Sequence, residues 1–379
     1  MRVMHLPGGL PLDYTVQLAN SLSQNKDIET AIILYPRKKE YPLSIDKKVK
    51  VYSFREAMRP IFNPMNLIIF IESIKKINQF KPDIIHVQGC YLPELFILLF
   101  LKFLRDYRLI TTFHDAKAHI GSEYLLHRLT REWFLKKSDG IFVHGKQQKD
   151  ILIKEHGINE NKVHVIPMGE HNVNPFKRYI RIEPYPDKNI VLFFGRIAFY
   201  KGIEYLVKCE PVIHREVPGA KIIIAGKESI GKLDVGYLEK CKREIINKNN
   251  FLIYDQYIDG KLGAELFQKA SVVVLPYIEA SQSGVIPVAY AFKKPVVVTN
   301  TGALPEIVDD GKTGFVVPTK DTGALAEAII KLLKDEKLRE EMGEAGYKKL
   351  NTDLSWDKIS GITTEVYKKA LEEKLNHEN

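Results

Sequence analysis

The sequence predicts an α/β protein built from two doubly wound, parallel-sheet domains in tandem, facing across a cleft. Three observations carry that expectation. Strand-like and helix-like segments alternate along almost the whole chain. Several strand-like runs are apolar on both faces, as strands buried between two helix layers must be. The alternation breaks at residues 170–189 (EHNVNPFKRYIRIEPYPDKN), where there are three prolines, mixed charge and no period, and then restarts. A chain of 379 residues is too long for one ordinary core and suits two of under about 200 residues each.

In the first half MRVMHL, IETAIILY, PDIIHVQG, LITTFHD, GIFVHG and KVHVIPMG read as strands. Helices are expected around residues 13–24, 91–105, 122–137 and 146–156. After the break come NIVLFFGR, a helix at 202–216, AKIIIAG, a helix at 235–248, FLIYD, a short helix and SVVVLPY. A helix within 277–294, the strands PVVVTN and GFVVP, and helices at 321–334 and 336–350 follow, with one more helix from Trp356 to Lys374. The first domain is placed at 1–180 and the second at 188–355. Residues 36–66 and 115–125 show no interpretable motif.

Composition narrows the function classes. With 45% hydrophobic and 27% charged residues the chain is globular rather than disordered. Cys90, Cys209 and Cys241 are far apart and form no C-x-x-C pair, which points to a reducing compartment and against structural zinc. The N-terminus turns to proline and glycine after six residues, unlike a signal peptide. The longest apolar run, 95–101, stops at Lys102 and is too short to span a bilayer. A cytoplasmic protein is expected. Residues 1–187 carry 28 Lys and Arg against 20 Asp and Glu, whereas 188–379 are nearly balanced at 28 against 27. A basic first half suits an anionic membrane face, or serves equally as a solubilising surface. No helix-turn-helix, zinc-finger or RNA-recognition signature is present, so nucleic acid is not an expected partner.

Ligands of open α/β sheets bind beyond the carboxyl ends of the strands, so the loops there are the place to look. In FFGRIAFYKGIEYL, Gly195 and Arg196 end a strand, and Lys201 and Gly202 lead into a helix. Two cations five residues apart, beside a helix N-terminus, can converge on one phosphate. In YIEASQSGVIP, a small-residue run, Ser281 to Gly284, lets a ligand approach the backbone. Ser283 or Gly284 can cap the helix, and Pro287 fits its first turn. Glu279 stands just ahead of the cap, where plain capping does not account for it. Thr301–Glu306 is a further strand-end turn with a carboxylate. In the first domain Gly8 and Gly9 form a glycine turn, read either as a tight turn or as a place for a phosphate. His114 ends LITTFHD and can donate to substrate hydroxyls or serve structurally. The histidines show no metal-ligand spacing.

Taken together, PGGLPLDYTVQLANSLS, TTFHD, VIPMG, FFGRIAFYKGIEYLV, the YIEASQSGVIP stretch with TGALPEIV, and DGKTGFVVP resemble the family-four retaining glycosyltransferases of the GT-B fold. The likeness runs over nearly the whole chain. It implies transfer of a sugar from a nucleotide diphosphate sugar, UDP- or GDP-linked, to an acceptor hydroxyl with retention, without a divalent metal or other cofactor. It implies that Arg196 and Lys201 grip the diphosphate and that Gly8, Gly9 and Gly195 border the same phosphates. Ser283, Gly284 and Val285 would cradle them through the backbone. His114 would contact the transferred sugar, and Glu279 its hydroxyls. The acceptor would be a glycan or lipid-linked glycan, with the protein resting peripherally on the inner membrane face. Residues 356–379 would form a helix packing back toward the first domain. One departure stands out: the family's second glutamate, eight positions after the first, is Pro287 here. That leaves a non-catalytic partner subunit of a glycan assembly complex, or a sugar-nucleotide epimerase, as alternatives.

Overall fold

The computed structural model describes residues 1–7, 12–34, 44–54, 64–89, 107–115, 125–169, 176, 179–181, 189–231 and 233–378. The expected helix at 91–105 and the turn at Gly8 and Gly9 lie outside them.

The described residues fall into two compact units. The first joins residues up to Ile166 with those from Trp356 onward, and the second is Pro167–Ser355. The sheet of the first unit contains β1 (Arg2–Leu6), β2 (Glu29–Leu34), β3 (Lys50–Ser53), β4 (Ile84–Gln88), β5 (Arg108–Phe113), β6 (Gly140–Val143) and β7 (Val163–Val165). They run parallel in the order β3-β2-β1-β4-β5-β6-β7. Side chains alternate between the two faces of a strand. Met4 and Leu6 of β1 therefore join a core with α2 (Pro64–Phe80), α3 (Leu125–Lys137) and α4 (Lys146–Lys154). Val3, between them, faces α1 (Leu12–Leu22) and the final helix α12 (Trp356–Glu378). Both faces are buried, which is why these strands read as continuous apolar runs. β3 was not expected from sequence: it is a four-residue, largely exposed edge strand, too short and too polar to show a period.

α12 belongs to the first core. Ile359 and Tyr367 are fully buried there, with Val366 and Ala370 beside them. Ser21 on α1 donates to the Trp356 carbonyl at 3.0 Å and lies 2.9 Å from the Ser360 hydroxyl.

The second sheet contains β8 (Ile190–Phe194), β9 (Lys221–Gly226), β10 (Phe251–Asp255), β11 (Val272–Leu275), β12 (Val296–Thr299) and β13 (Gly314–Val317). It is also parallel, in the order β10-β9-β8-β11-β12-β13. Its helices are α5 (Ile203–Glu216), α6 (Tyr237–Arg243), α7 (Gly260–Lys269), α8 (Val285–Ala291), α9 (Leu304–Ile307), α10 (Thr322–Lys334) and α11 (Glu336–Thr352). Aspartates cap three of them: Asp259, Asp321 and Asp335 accept from Leu262, Ala324 and Leu338 amides. α6 is shorter than the expected 235–248 helix. Phe176, in the segment read from sequence as interdomain, packs into the second core against Phe194 and Phe267, so the division falls after Ile166. Among the described residues no helix is long and apolar enough to cross a membrane.

Candidate functional site in the second unit

In the order β10-β9-β8-β11-β12-β13 the chain reverses its direction of winding between β8 and β11. Helices leaving adjacent strands there go to opposite faces, and the loops between them part to leave a crevice. The two loops that leave this point are 195–202 and 276–284, the segments that hold the motif residues.

They are stitched together through the backbone. The Tyr200 carbonyl accepts from the Ile278 amide at 2.8 Å and from the Glu279 amide at 3.3 Å. Gly202 has φ +62°, and a Cβ there would stand 2.1 Å from the Pro276 carbonyl oxygen. Only glycine permits both that conformation and that approach. The β12 loop closes on the same group: Gly302, φ +57°, would place a Cβ 1.8 Å from the Ala280 oxygen. Thr299 fixes Tyr277 by donating to its carbonyl at 2.6 Å.

On this frame sit the side chains. Phe199–Lys201 form a single 3₁₀ turn, and Gly202 then starts α5. The Lys201 Nζ lies 3.6 Å from the centre of the Tyr277 ring and 4.9 Å from that of Tyr200. The ring face attracts the ammonium and limits its rotamers. Burial holds the Tyr277 phenol well above its ordinary pKa, so it stays neutral beneath the cation. Its hydroxyl lies 3.4 Å from that of Ser283, which in turn accepts from the Val285 amide at 3.3 Å. Gly284 is the N-cap of α8 and makes no side-chain cap, while Pro287 stands third in the helix, in its first turn. Gly195 approaches Val285: a Cβ on it would lie 3.8 Å from Val285 Cγ2. Arg196 is exposed at the head of the β8 loop, and Glu279 is half-buried. Gly195, Lys201, Glu279, Ser283, Gly284 and Val285 thus share one loop cluster, with Arg196 on its solvent side. Glu306 lies in α9, and Pro287 is buried.

His114 belongs to the first unit. It follows β5, is 4% exposed, and its Nδ1 lies 3.2 Å from His144 Nε2. Among the described residues no three His, Cys, Asp or Glu side chains are grouped so as to hold a metal ion. Cys209 and Cys241 are buried thiols, each pushed up to about 12 by desolvation, and so unreactive near neutral pH.

Sequence reading passed over two residues here. Tyr277 looked like the end of strand SVVVLPY, and His144 like the end of GIFVHG. For His144 a signal exists: FVHG repeats the apolar-strand-then-histidine pattern of TTFHD.

Comparison with known proteins adds to this geometry. Residues 13–169 match the profile of the family described as Glycosyltransferase Family 4, and residues 177–349 that described as Glycosyl transferases group 1. The chain belongs to the family-four glycosyltransferases. It is similar to an uncharacterised glycosyltransferase of Methanocaldococcus jannaschii, 31% identical over 57% of this chain and 53% of the relative. The chain thus spans about half the length of that relative. A capsular polysaccharide biosynthesis glycosyltransferase of Staphylococcus aureus is 26% identical over 64% of this chain and 66% of its own. Among solved structures, an Anabaena protein in complex with UDP superposes with a TM-score of 0.70 at 14% identity, covering 97% of this chain and 100% of that one. That likeness shows the fold: this family member has the two Rossmann-like domains of GT-B proteins.

Proposed function

We propose that the protein is a retaining, metal-independent glycosyltransferase that moves a sugar from a nucleotide diphosphate sugar to an acceptor hydroxyl. The acceptor is a cell-surface polysaccharide or a lipid-linked glycan, met at the anionic inner membrane face by the basic first half. One observation supports this most: the Lys201 ammonium, held on Tyr277 where the β8 and β11 loops meet, stands where these sheets take phosphate ligands. As the glycosidic bond breaks, negative charge grows on the departing diphosphate. Lys201 meets that charge from a position set beforehand by Tyr277, and Arg196 joins it from the solvent side of the cluster, which lowers the barrier. The N-terminal end of the α5 dipole adds partial positive charge. Ser283, Gly284 and Val285 offer backbone to the same phosphates. Glu279 accepts from sugar hydroxyls, and His114 contacts the transferred sugar. The Anabaena structure's bound UDP and the S. aureus relative's capsular role are in keeping with this reading.

The test is a thermal-shift screen of UDP- and GDP-sugars, followed by the anomeric configuration of the product by NMR. A ligand at about 100 times its Kd stabilises by about 2.7 kcal/mol. The matching donor should raise the melting temperature in the presence of EDTA and yield a product of unchanged anomeric configuration. Failure of every nucleoside diphosphate to bind would sink the proposal.

A second reading rests on Pro287, a buried residue with no carboxylate where the resemblance puts the ribose ligand. In it the protein is a non-catalytic subunit. Full activity of a purified complex carrying Arg196→Ala and Lys201→Ala would favour that reading.

A further inference from the structure

Two histidines occupy equivalent places on neighbouring strands of the first sheet. His114 follows Phe113, the last residue of β5, and His144 follows Val143, the last of β6. Phe113 and Val143 are partners in the register, so the two rings project side by side. Their centroids are 5.0 Å apart, with His144 Nε2 3.2 Å from His114 Nδ1. The second nitrogen of His144, Nδ1, lies 3.3 Å from the carbonyl oxygen of Ile166, just past β7. Tyr14 on α1 packs edge-on against both rings, at 5.3 and 5.4 Å. Both histidines are buried, at 4% and 3% exposed.

These contacts fix where the protons go. A carbonyl oxygen only accepts, so the proton of a neutral His144 sits on Nδ1. Its Nε2 is then a lone pair, and it can only accept. The facing Nδ1 of His114 must therefore be the donor. The Ile166 carbonyl thus orients a ring two hydrogen bonds away. In the reverse arrangement a lone pair of His144 would point at the carbonyl oxygen, a buried repulsion with a lost bond. Two charged imidazoles in contact are excluded by burial and mutual repulsion.

We propose that His144 is a positioning residue that holds His114 in the Nδ1–H tautomer, so that neutral His114 offers Nε2 as an acceptor for a hydroxyl. A proton gained by the pair goes to His114 Nε2, because a proton on His144 Nε2 would face another N–H. The same ring then becomes a donor without turning. The tautomer stands on geometry alone. That the hydroxyl belongs to the transferred sugar rests on the function proposed above.

The experiment is imidazole ¹⁵N NMR of the full chain at mildly alkaline pH, with His114→Asn identifying the His114 signals. Wild type should show a pyrrole-type Nδ1 and a pyridine-type Nε2. His144→Phe should lose that preference. His144→Gln, whose side-chain oxygen can stand in for Nε2, should restore it. A wild-type His114 protonated at Nε2, or an Nδ1–H signal unchanged in His144→Phe, overturns the relay. Should His144→Phe not fold, the wild-type spectrum decides by itself. Adding UDP separates the two proposals. A chain with the expected tautomer that ignores UDP refutes the transferase reading and keeps the relay. One that binds UDP with Nε2–H does the reverse.

Discussion

The two sheets share a winding order, yet they place their polar chemistry differently at the point where it reverses. In the second, β8 and β11 pair through Val191 with Val272 and Leu192 with Val273, all aliphatic and fully buried. Polarity begins only beyond the strand ends, in Lys201, Tyr277 and the serine-glycine run. In the first, β1 and β4 pair His5 with His86 inside the strands. His86 Nδ1 meets the Tyr367 hydroxyl at 2.5 Å and Nε2 meets Thr112 at 2.7 Å. The lesson concerns tolerance. A strand that is wholly apolar leaves its loop free to be shaped by glycine and charge. A buried imidazole within a strand depends on partners from distant elements, which His86 finds in Tyr367 and Thr112 and which, among the described residues, neither nitrogen of His5 finds.

The largest effect that would break this contrast lies in the second unit's loops. Arg196→Ala and Lys201→Ala should each lower sugar transfer by about 10²–10³-fold, judged by loss of a preorganised donor to a developing charge. The melting temperature of the free protein should hardly change. If turnover survives both, the loops of β8 and β11 are not where the charge is met. In the first unit, Tyr367→Ala should destabilise by ~3–5 kcal/mol through lost packing and a freed His86 nitrogen. Hydrogen exchange resolved by residue should show the loss in the first sheet and leave protection in β8–β13 intact. Equal loss in both sheets would contradict the division.

Acidification should sharpen the same contrast. Burial holds His5 down to about 3, and burial followed by the neighbouring His5 and His114 also lowers His86. Below an ordinary histidine pKa of about 6.5 the unfolded chain takes up a proton that native His5 refuses. Stability conferred by neutral His5 is therefore complete above that value and is lost as pH falls toward 3. The slope is about 1.4 kcal/mol per pH unit for each such group. Chemical denaturation between neutral and mildly acidic pH should show it, and His5→Leu should flatten it. The smallest effect expected is at Tyr277. Replacement by Leu removes a cation–π contact worth ~0.5–2 kcal/mol, weakening UDP binding by up to about 30-fold, while Tyr277→Phe keeps the ring and the affinity. Equal weakening in both variants would show that the hydroxyl, and not the ring face, matters.

Much of this architecture is legible in the residues. Runs such as IVLFF and VVVL can only be strands enclosed on both sides, and their order of alternation with helices gives the parallel doubly wound class. The strand-end positions of Lys201, Glu279 and Ser283 were legible because glycine or proline near each marks where a strand gives way to a loop. The His5–His86 pair and the His114–His144 pair were not. Their meaning lies in register between strands roughly eighty and thirty residues apart, which no local period encodes. β3 escaped for the opposite reason, being a short edge strand held by pairing to β2 and not by its own pattern. Tyr277 gave no sign of its role because an aromatic after an aliphatic strand usually means core, and here it is both core and shelf.

α12 follows both units in the sequence and yet completes the first core. A ribosome emitting this polypeptide releases everything up to Ile166, then the whole of Pro167–Ser355, before Ile359 and Tyr367 emerge. The later-born unit can therefore finish folding ahead of the earlier one, inverting the usual N-to-C sequence of domain maturation. Until Trp356–Glu378 has been synthesised, one face of the first sheet has no α12 to cover Phe142 and His86, and nascent chains stalled before residue 356 should present that face to chaperones.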